Sequence, residues 1–211
     1  MSRLTIALAK GRLLEPSACL LERVGIRSVC GFVDSRRLVA ESVDGAYRFL
    51  VVKPVDVPTY VEYGIADMGI VGKDVLLEEA RDVYEPVDLG LARCRLVVAA
   101  RCERIGDALL PHRSYRVATK YPNVARRYFQ ERGIQIETIR LSGSVELAPL
   151  TGLADLVLDL VETGKTLAAN GLHPIAEVAD SSARLIVNRA SRKLNAARIN
   201  AFIERLKGET V

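Results

Sequence analysis

Leu156-Val-Leu-Asp-Leu-Val161 is an apolar run holding one carboxylate, and Glu162-Thr-Gly-Lys-Thr166 follows it as a hydroxyl and glycine turn. Thr166-Leu-Ala-Ala-Asn170, ahead of Gly171, then has the pattern of a short helix with a glycine stop. The run is too apolar for a surface loop, so the segment predicts a strand, a turn at its carboxyl end and a helix. Backbone amides at that helix start, with the Thr163 and Thr166 hydroxyls, can meet an anion, and Gly164 lets the main chain approach it closely. Asp159 stands just behind the turn, placed for sugar hydroxyls or a magnesium ion.

Gly164-Lys165-Thr166 also forms the tail of the triphosphate loop Gly-x-x-x-x-Gly-Lys-Ser/Thr. The first glycine of that loop would fall on Asp159, whose carboxylate would face the phosphates it should cradle. The strand also runs through this position and leaves too short a loop to wrap a triphosphate, so a nucleotide hydrolase of that type is not expected.

Short β-rich runs alternate with helical patterns along the whole chain. Strands are expected at 3–8, 36–41, 46–52, 66–71, 94–100, 115–119, 135–140, 154–161 and 183–187. Pro16 suits the first turn of a helix that stops at Gly25, Asp56 a cap for a helix ending at Gly64, and Asn123 to Arg132 a helix ending at Gly133. A last helix is expected over 192–207, capped by Ser191, with Leu194, Ile199, Phe202, Ile203 and Leu206 on its packed face. Gly64-Ile-Ala-Asp67-Met-Gly-Ile-Val-Gly-Lys73 echoes Gly152-Leu-Ala-Asp155-Leu-Val-Leu-Asp159 and its Gly-Lys turn. The pattern predicts an α/β protein of two similar lobes with ligands held in the cleft between them. The first lobe is expected at 1–92 with 179–211 and the second at 93–178.

At 211 residues, 49% hydrophobic and 27% charged, the chain can bury a sizeable core and is not disordered in the main. A net charge of +4 with 5% aromatic residues and no Trp does not describe a nucleic-acid binder, but it suits anionic small molecules. Cys19, Cys30, Cys94 and Cys102 show no Cys-x-x-Cys spacing, and His112 and His173 are far apart in the chain, so neither a zinc site nor a disulfide framework is expected. The thiols are expected to be reduced and mostly buried. Met1 to Leu8 reads as a first strand rather than a signal peptide, and no run reaches the roughly 20 apolar residues of a membrane span, so a cytoplasmic protein is expected.

Lys10-Gly11-Arg12 follows the first strand directly and offers a second anion site, while Arg36 and Lys53 border strands and can add positive charge. Gly143-Ser-Val-Glu146-Leu-Ala-Pro149 supplies a second carboxylate which, with Asp159, can engage a ribose or magnesium. There is no Gly-x-Ser-x-Gly elbow around Ser142 or Ser144.

Six stretches together resemble one family across essentially the whole chain. They are Ala7-Leu-Ala-Lys10-Gly-Arg-Leu13, Asp56-Val-Pro-Thr-Tyr-Val-Glu62, Gly64 to Asp74, Ala118-Thr-Lys-Tyr-Pro122, Gly143 to Pro149 and Asp159 to Leu167, and the family is ATP phosphoribosyltransferase, the first enzyme of histidine biosynthesis. The resemblance implies a two-lobe fold of the type II periplasmic-binding-protein kind with the active site in the interlobe cleft. It implies magnesium-dependent attack by N1 of ATP on phosphoribosyl pyrophosphate. Thr163, Gly164, Lys165 and Thr166, with Glu146 and Asp159, would hold phosphoribosyl pyrophosphate, and Lys10, Gly11, Arg12, Arg36, Lys53 and Gly72 would hold ATP or pyrophosphate. Lys10, Arg12, Glu146 and Asp159 are the expected catalytic residues, and the direct magnesium ligands stay open. Ending at Val211, the chain resembles the short catalytic form, which works as a homodimer within a hetero-oligomer containing a histidyl-tRNA-synthetase-like subunit that confers inhibition by histidine. Lys53 stands where arginine is expected, which keeps the charge and loses the bidentate fork. The alternatives are a different phosphoribosyltransferase and a two-lobe ligand-binding sensor without catalysis.

Overall fold

The computed structural model describes residues 3–27, 37–101, 109–110 and 113–209. Arg36, Cys30, Cys102 and His112 lie outside the described residues. Two compact units divide the chain: Met1–Arg93 with Ser182–Val211, and Cys94–Ser181.

The first unit is built on β1 (Leu4–Ala9), β2 (Val39–Glu41), β3 (Tyr47–Val52), β4 (Met68–Gly72), β5 (Tyr84–Asp88) and β11 (Ala183–Val187). Their order across the sheet is β2-β3-β1-β4-β11-β5. β1 runs parallel to β3 and β4, while β11 is antiparallel to both of its neighbours. Alternation along β1 sends Leu4, Ile6 and Leu8 to one face and Ala7 and Ala9 to the other. The first face packs against α1 (Leu14–Arg23) and α8 (Ala196–Glu209) through Leu20, Leu21, Ile199, Phe202 and Leu206. The second packs against α2 (Val57–Glu62) and α3 (Lys73–Glu79) through Val57, Val61 and Val75. Small Ala7 and Ala9 suit this second face, where a Cβ on Gly69 would stand only 2.8 Å from a Val57 methyl. Burying a side chain such as Phe202 contributes roughly 1.5–3 kcal/mol.

The second unit carries β6 (Cys94–Arg101), β7 (Ser114–Thr119), β8 (Gln135–Arg140), β9 (Leu156–Val161) and β10 (Leu172–Ser181), ordered β10-β6-β9-β7-β8. β7 is parallel to β8 and β9, and β6 is antiparallel to β9 and β10. Among the described residues three helices accompany the sheet: α4 (Pro122–Gln130), α5 (Leu147–Leu150) and α6 (Lys165–Ala169). Apart from β2, the two strand orders correspond element for element, with β1, β3, β4, β11 and β5 matched by β7, β8, β9, β6 and β10.

The structure adds β5 and β10 to the strands expected from the sequence. β10 continues to Ser181, and the chain returns to the first unit at Ser182. The expected last helix is two helices, α7 (Arg189–Leu194) and α8, separated at Asn195. Its cap is Asn188 rather than Ser191: Oδ1 of Asn188 accepts the Ser191 amide at 2.8 Å, and its Nδ2 donates to the Val61 carbonyl at 2.8 Å, joining the end of α2 to the start of α7. The break leaves Leu194 82% exposed, whereas Ile199, Phe202, Ile203 and Leu206 are buried. Cys94 is buried as expected and Cys19 is exposed. Asp56 stands at the start of α2 without a side-chain cap bond, and Gly25, Gly64, Gly133 and Gly171 each take the positive φ expected of helix stops.

Candidate active site

In the second unit, β9 delivers its carboxyl end to the turn Glu162-Thr163-Gly164, and α6 begins at Lys165. Gly164 occupies the helix's N-terminal boundary with φ +76°, a left-handed backbone that turns the chain tightly at the end of the strand. A Cβ there would come 3.8 Å from Val161 Cγ1, an ordinary contact, so the backbone angle rather than space in the protein calls for glycine. No side chain caps α6, which leaves its first-turn amides to an external acceptor, and Thr163, Lys165 and Thr166 are exposed around them. The helix starts at Lys165, one residue earlier than expected, and its far end is tied by Asn170 Nδ2 donating to the Thr166 carbonyl at 2.8 Å.

Asp159 is half-buried and lies two residues from both Val157 and Val161 along β9, on the same face of the strand. Those valines pack with Val145, Ala148 and Leu167, so Asp159 shares the sheet face that the Gly143 to Pro149 segment covers. Glu146, also half-buried, sits in that segment at the start of α5. The fold therefore brings both carboxylates and the Thr163 to Thr166 turn to one face and one end of a single sheet. Lys120, which belongs to the Ala118 to Pro122 stretch but has no role assigned by the sequence, joins them. Thr119 of β7 pairs with Leu158 and Arg140, and one register step further sets Lys120 beside Asp159. The stretch is visible in the sequence, but the neighbourhood of Lys120 with Asp159 follows only from the register.

The first unit gathers the other candidates in the same manner. The Lys10 amide donates to the Val52 carbonyl at 2.7 Å, which aligns Lys10 with Lys53 just past the paired ends Ala9 and Val52. Ile6, Ala7 and Leu8 pair with Met68, Gly69 and Ile70, so the same level on β4 is Gly72. Three parallel strands thus end together, adjacent strands being about 4.8 Å apart. Lys10, Gly11, Arg12 and Lys53 are exposed, and Gly11 at φ +98° turns the chain into α1. Gly72 is buried, and a Cβ on it would collide with the Asp74 carboxylate. Arg36, expected here, lies outside the described residues. These cations stand at the carboxyl ends of parallel strands, the edge where α/β sheets commonly hold ligands, and their charge suits an anion.

Among the described residues no three His, Cys, Asp or Glu side chains form a metal cage. Glu146 and Asp159 offer hard carboxylate oxygens, which fit magnesium if phosphate oxygens and waters complete its shell.

The family model for ATP phosphoribosyltransferase matches residues 53–208. The chain is 50% identical over 203 residues to the ATP phosphoribosyltransferase of Bacillus licheniformis, covering 96% of this chain and 93% of that one. It is likewise 50% identical over 203 residues to that of Geobacillus kaustophilus, covering 96% of each. Among solved structures it resembles the ATP phosphoribosyl transferase (HisG:HisZ) complex from Thermotoga maritima, with TM-score 0.84, 36% identity and 97% of both chains covered. The periplasmic aliphatic sulphonate binding protein SsuA from Escherichia coli aligns with TM-score 0.60 at 14% identity, over 98% of this chain and 72% of that one. This second likeness shows the type II periplasmic-binding-protein fold and nothing of the ligand. The family model over residues 53–208 and 50% identity across nearly the whole chain meet in one conclusion: the chain belongs to the ATP phosphoribosyltransferase family.

Proposed function

We propose that the protein transfers the phosphoribosyl group of phosphoribosyl pyrophosphate to N1 of ATP in the presence of magnesium, giving phosphoribosyl-ATP and pyrophosphate as the first step of histidine biosynthesis. The observation that carries this reading at the site is the Gly164 turn, whose left-handed backbone opens the α6 amides at the end of a strand bearing Asp159. In this reading Thr163, Gly164, Lys165 and Thr166 hold the ribose phosphate. Glu146 and Asp159 hold the ribose hydroxyls, directly or through the ion, and their negative charge favours oxocarbenium character at the anomeric carbon. Lys10, Gly11, Arg12, Arg36, Lys53 and Gly72 receive ATP and pyrophosphate, and Lys120 adds a cation beside Asp159.

Adenine N1 carries a lone pair at neutral pH, so no strong general base is required. Alignment of nucleophile and leaving group supplies the rate, together with stabilisation of the departing pyrophosphate by Lys10, Arg12 and Lys53. Magnesium, when bound on the substrate phosphates, supplies charge neutralisation. Glu146 and Asp159 are the residues that would hold it.

The Thermotoga maritima relative is in a HisG:HisZ complex. That likeness supports a HisZ-like regulatory partner for the present chain. In the same reading the chain works in the cytoplasm as a homodimer within a hetero-oligomer, and the partner is a synthetase-like subunit through which histidine inhibits. Among the described residues no helix is long and apolar enough to cross a membrane.

The deciding measurement is release of pyrophosphate from ATP, phosphoribosyl pyrophosphate and magnesium, with and without the regulatory subunit. Stoichiometric pyrophosphate and phosphoribosyl-ATP are expected. Binding of either substrate without product in both conditions would leave the sensor reading, which shares the fold but not the chemistry.

A further inference from the structure

On the first unit, away from the strand ends that carry Lys10 and Lys53, β5, α7 and α8 enclose a surface pocket of about 390 Å³. Among the described residues Tyr84, Arg189, Arg192, Lys193, Ala196 and Asn200 line it, and none of these is a carboxylate. The Arg192 guanidinium lies over the Tyr84 ring, 3.7 Å from its centroid, so both are held in place before anything binds. Asp82 meets Arg189 at 2.7 Å from outside the lining, with both side chains well exposed, and an ion pair of that kind is weak. One turn further along α8, Glu204 is engaged by Lys207 at 2.8 Å. The pocket itself is therefore basic.

Leu194 stands next to Lys193 in sequence and is 82% exposed, because the chain breaks at Asn195 and turns it out of the face that buries Ile199 and Phe202. A single exposed leucine is ordinary on a protein surface. One at the end of a helix whose preceding turn bears Arg189, Arg192 and Lys193 has the composition of an interface centre: an apolar anchor, an aromatic and arginines. A second copy of this chain is not the occupant of a self-paired contact here, since a two-fold axis would set these cations against themselves. The occupant has to bring negative charge and a recess for leucine.

We infer that this face docks the synthetase-like regulatory subunit through an acidic segment of that subunit, with Leu194 entering an apolar recess on it. The inference rests on the regulatory-subunit reading above. It assigns to α7 and the start of α8 a role in assembly that is separate from substrate binding.

The test uses the full chain and the purified synthetase-like subunit of the same source organism, with affinity and association rate measured across a salt titration. Lys193→Glu combined with Leu194→Ser should weaken the complex at least about tenfold, through slower association as well as faster release. Lys193→Arg should bind like the wild type. Wild-type association should slow as salt rises, and that dependence should flatten in the double variant. Both changes lie on exposed positions, so an unaltered circular dichroism spectrum and unchanged product formation by the chain alone are expected. If the folded double variant binds within about twofold of the wild type, the docking face is elsewhere while the regulatory subunit stands. If the wild type itself forms no complex, the subunit reading falls and the docking face with it.

Discussion

Asp67 and Asp155 occupy the same place in the two units. Asp67 Oδ2 accepts the Thr5 amide at 2.8 Å, and the Asp67 amide donates to the Thr5 carbonyl at 2.8 Å. Asp155 Oδ2 accepts the Arg116 amide at 2.9 Å, and its own amide donates to the Arg116 carbonyl at 2.8 Å. Each aspartate directly precedes the strand parallel to its partner's, β4 or β9, and each follows a glycine of positive φ, Gly64 at +71° and Gly152 at +75°. The faint echo between the two glycine-led stretches is thus a repeated register lock. It sets which residues of the parallel strands end level with one another, and hence where Lys10 meets Gly72 and where Lys120 meets Asp159.

Removing either lock should cost stability. A hydrogen bond from an amide to a carboxylate is worth about 1.5–3 kcal/mol, so Asp67→Ala and Asp155→Ala should each lower the unfolding free energy by that order. Because the sites share no partner, the double variant should lose roughly the sum, within about 0.5 kcal/mol. Urea denaturation measures it. An unchanged midpoint in either single variant would show that the strands hold their register without the carboxylate.

Gly164 separates backbone strain from ligand contact. With Val161 Cγ1 3.8 Å from an added Cβ, Gly164→Ala meets no clash, and the left-handed φ of +76° makes the cost about 1–2 kcal/mol. Gly164→Val adds a branched side chain where the phosphate would approach, so calorimetric titration should show affinity for phosphoribosyl pyrophosphate falling at least about tenfold in a folded protein. Near-normal affinity in the folded valine variant would remove the phosphate cradle from this turn.

Two strands were legible residue for residue, for different reasons: 183–187 matches β11, whose Ala183, Leu185, Ile186 and Val187 form a buried apolar run, and 135–140 matches β8, a partly exposed strand marked by β-branched Ile136, Thr138 and Ile139. The two strands that were not legible, β5 and β10, are both sheet edges and both contain proline, Pro86 and Pro174. An edge strand tolerates a missing amide, and the register shifts in β10 around Pro174 to Ala179 erase the period-two alternation that would have marked it. The break at Asn195 was hidden by Leu194, whose spacing continues the apolar stripe of α8 although the side chain does not pack in it. At the site, Gly164 and Asp159 were legible because a glycine turn after an apolar strand has a local signature. The stretch holding Lys120 was legible, but its place beside Asp159 was not, because that is set by pairing between β7 and β9, which are distant in sequence.

Asp88 makes the segment leaving the first unit sensitive to acid. Burial works to raise its pKa, but the Ser182 hydroxyl donating at 2.6 Å, the Gly90 amide at 2.9 Å and the Arg184 and Arg93 cations together hold it below the ordinary 3.8. A folded value below the unfolded one contributes stability that is present above pH 3.8 and is lost as pH falls through the folded value. Asp88→Asn should lower stability at neutral pH and flatten the acid limb of the profile. Urea midpoints from neutral pH down to about pH 2 test this, and parallel profiles for the two proteins would assign the acid loss to other carboxylates.

Glu146 and Asp159 share one sheet face with the Thr163 to Thr166 turn, and the proposed work of both is electrostatic. Glu146→Gln and Asp159→Asn keep shape and hydrogen-bonding reach while removing charge, so turnover should suffer more than folding. A loss of about 10² in kcat corresponds to roughly 2.7 kcal/mol of transition-state stabilisation, and a change of that order is expected from each variant with little change in Tm. If the carboxylates help hold magnesium, the variants should also need more of it to reach half-maximal rate. If they act on the ribose alone, the magnesium requirement should stay fixed while kcat drops. Steady-state assays over a magnesium titration distinguish the two roles. Normal turnover in both variants at every magnesium level would make Glu146 and Asp159 structural, and would leave orientation and the cations at the strand ends to account for the rate.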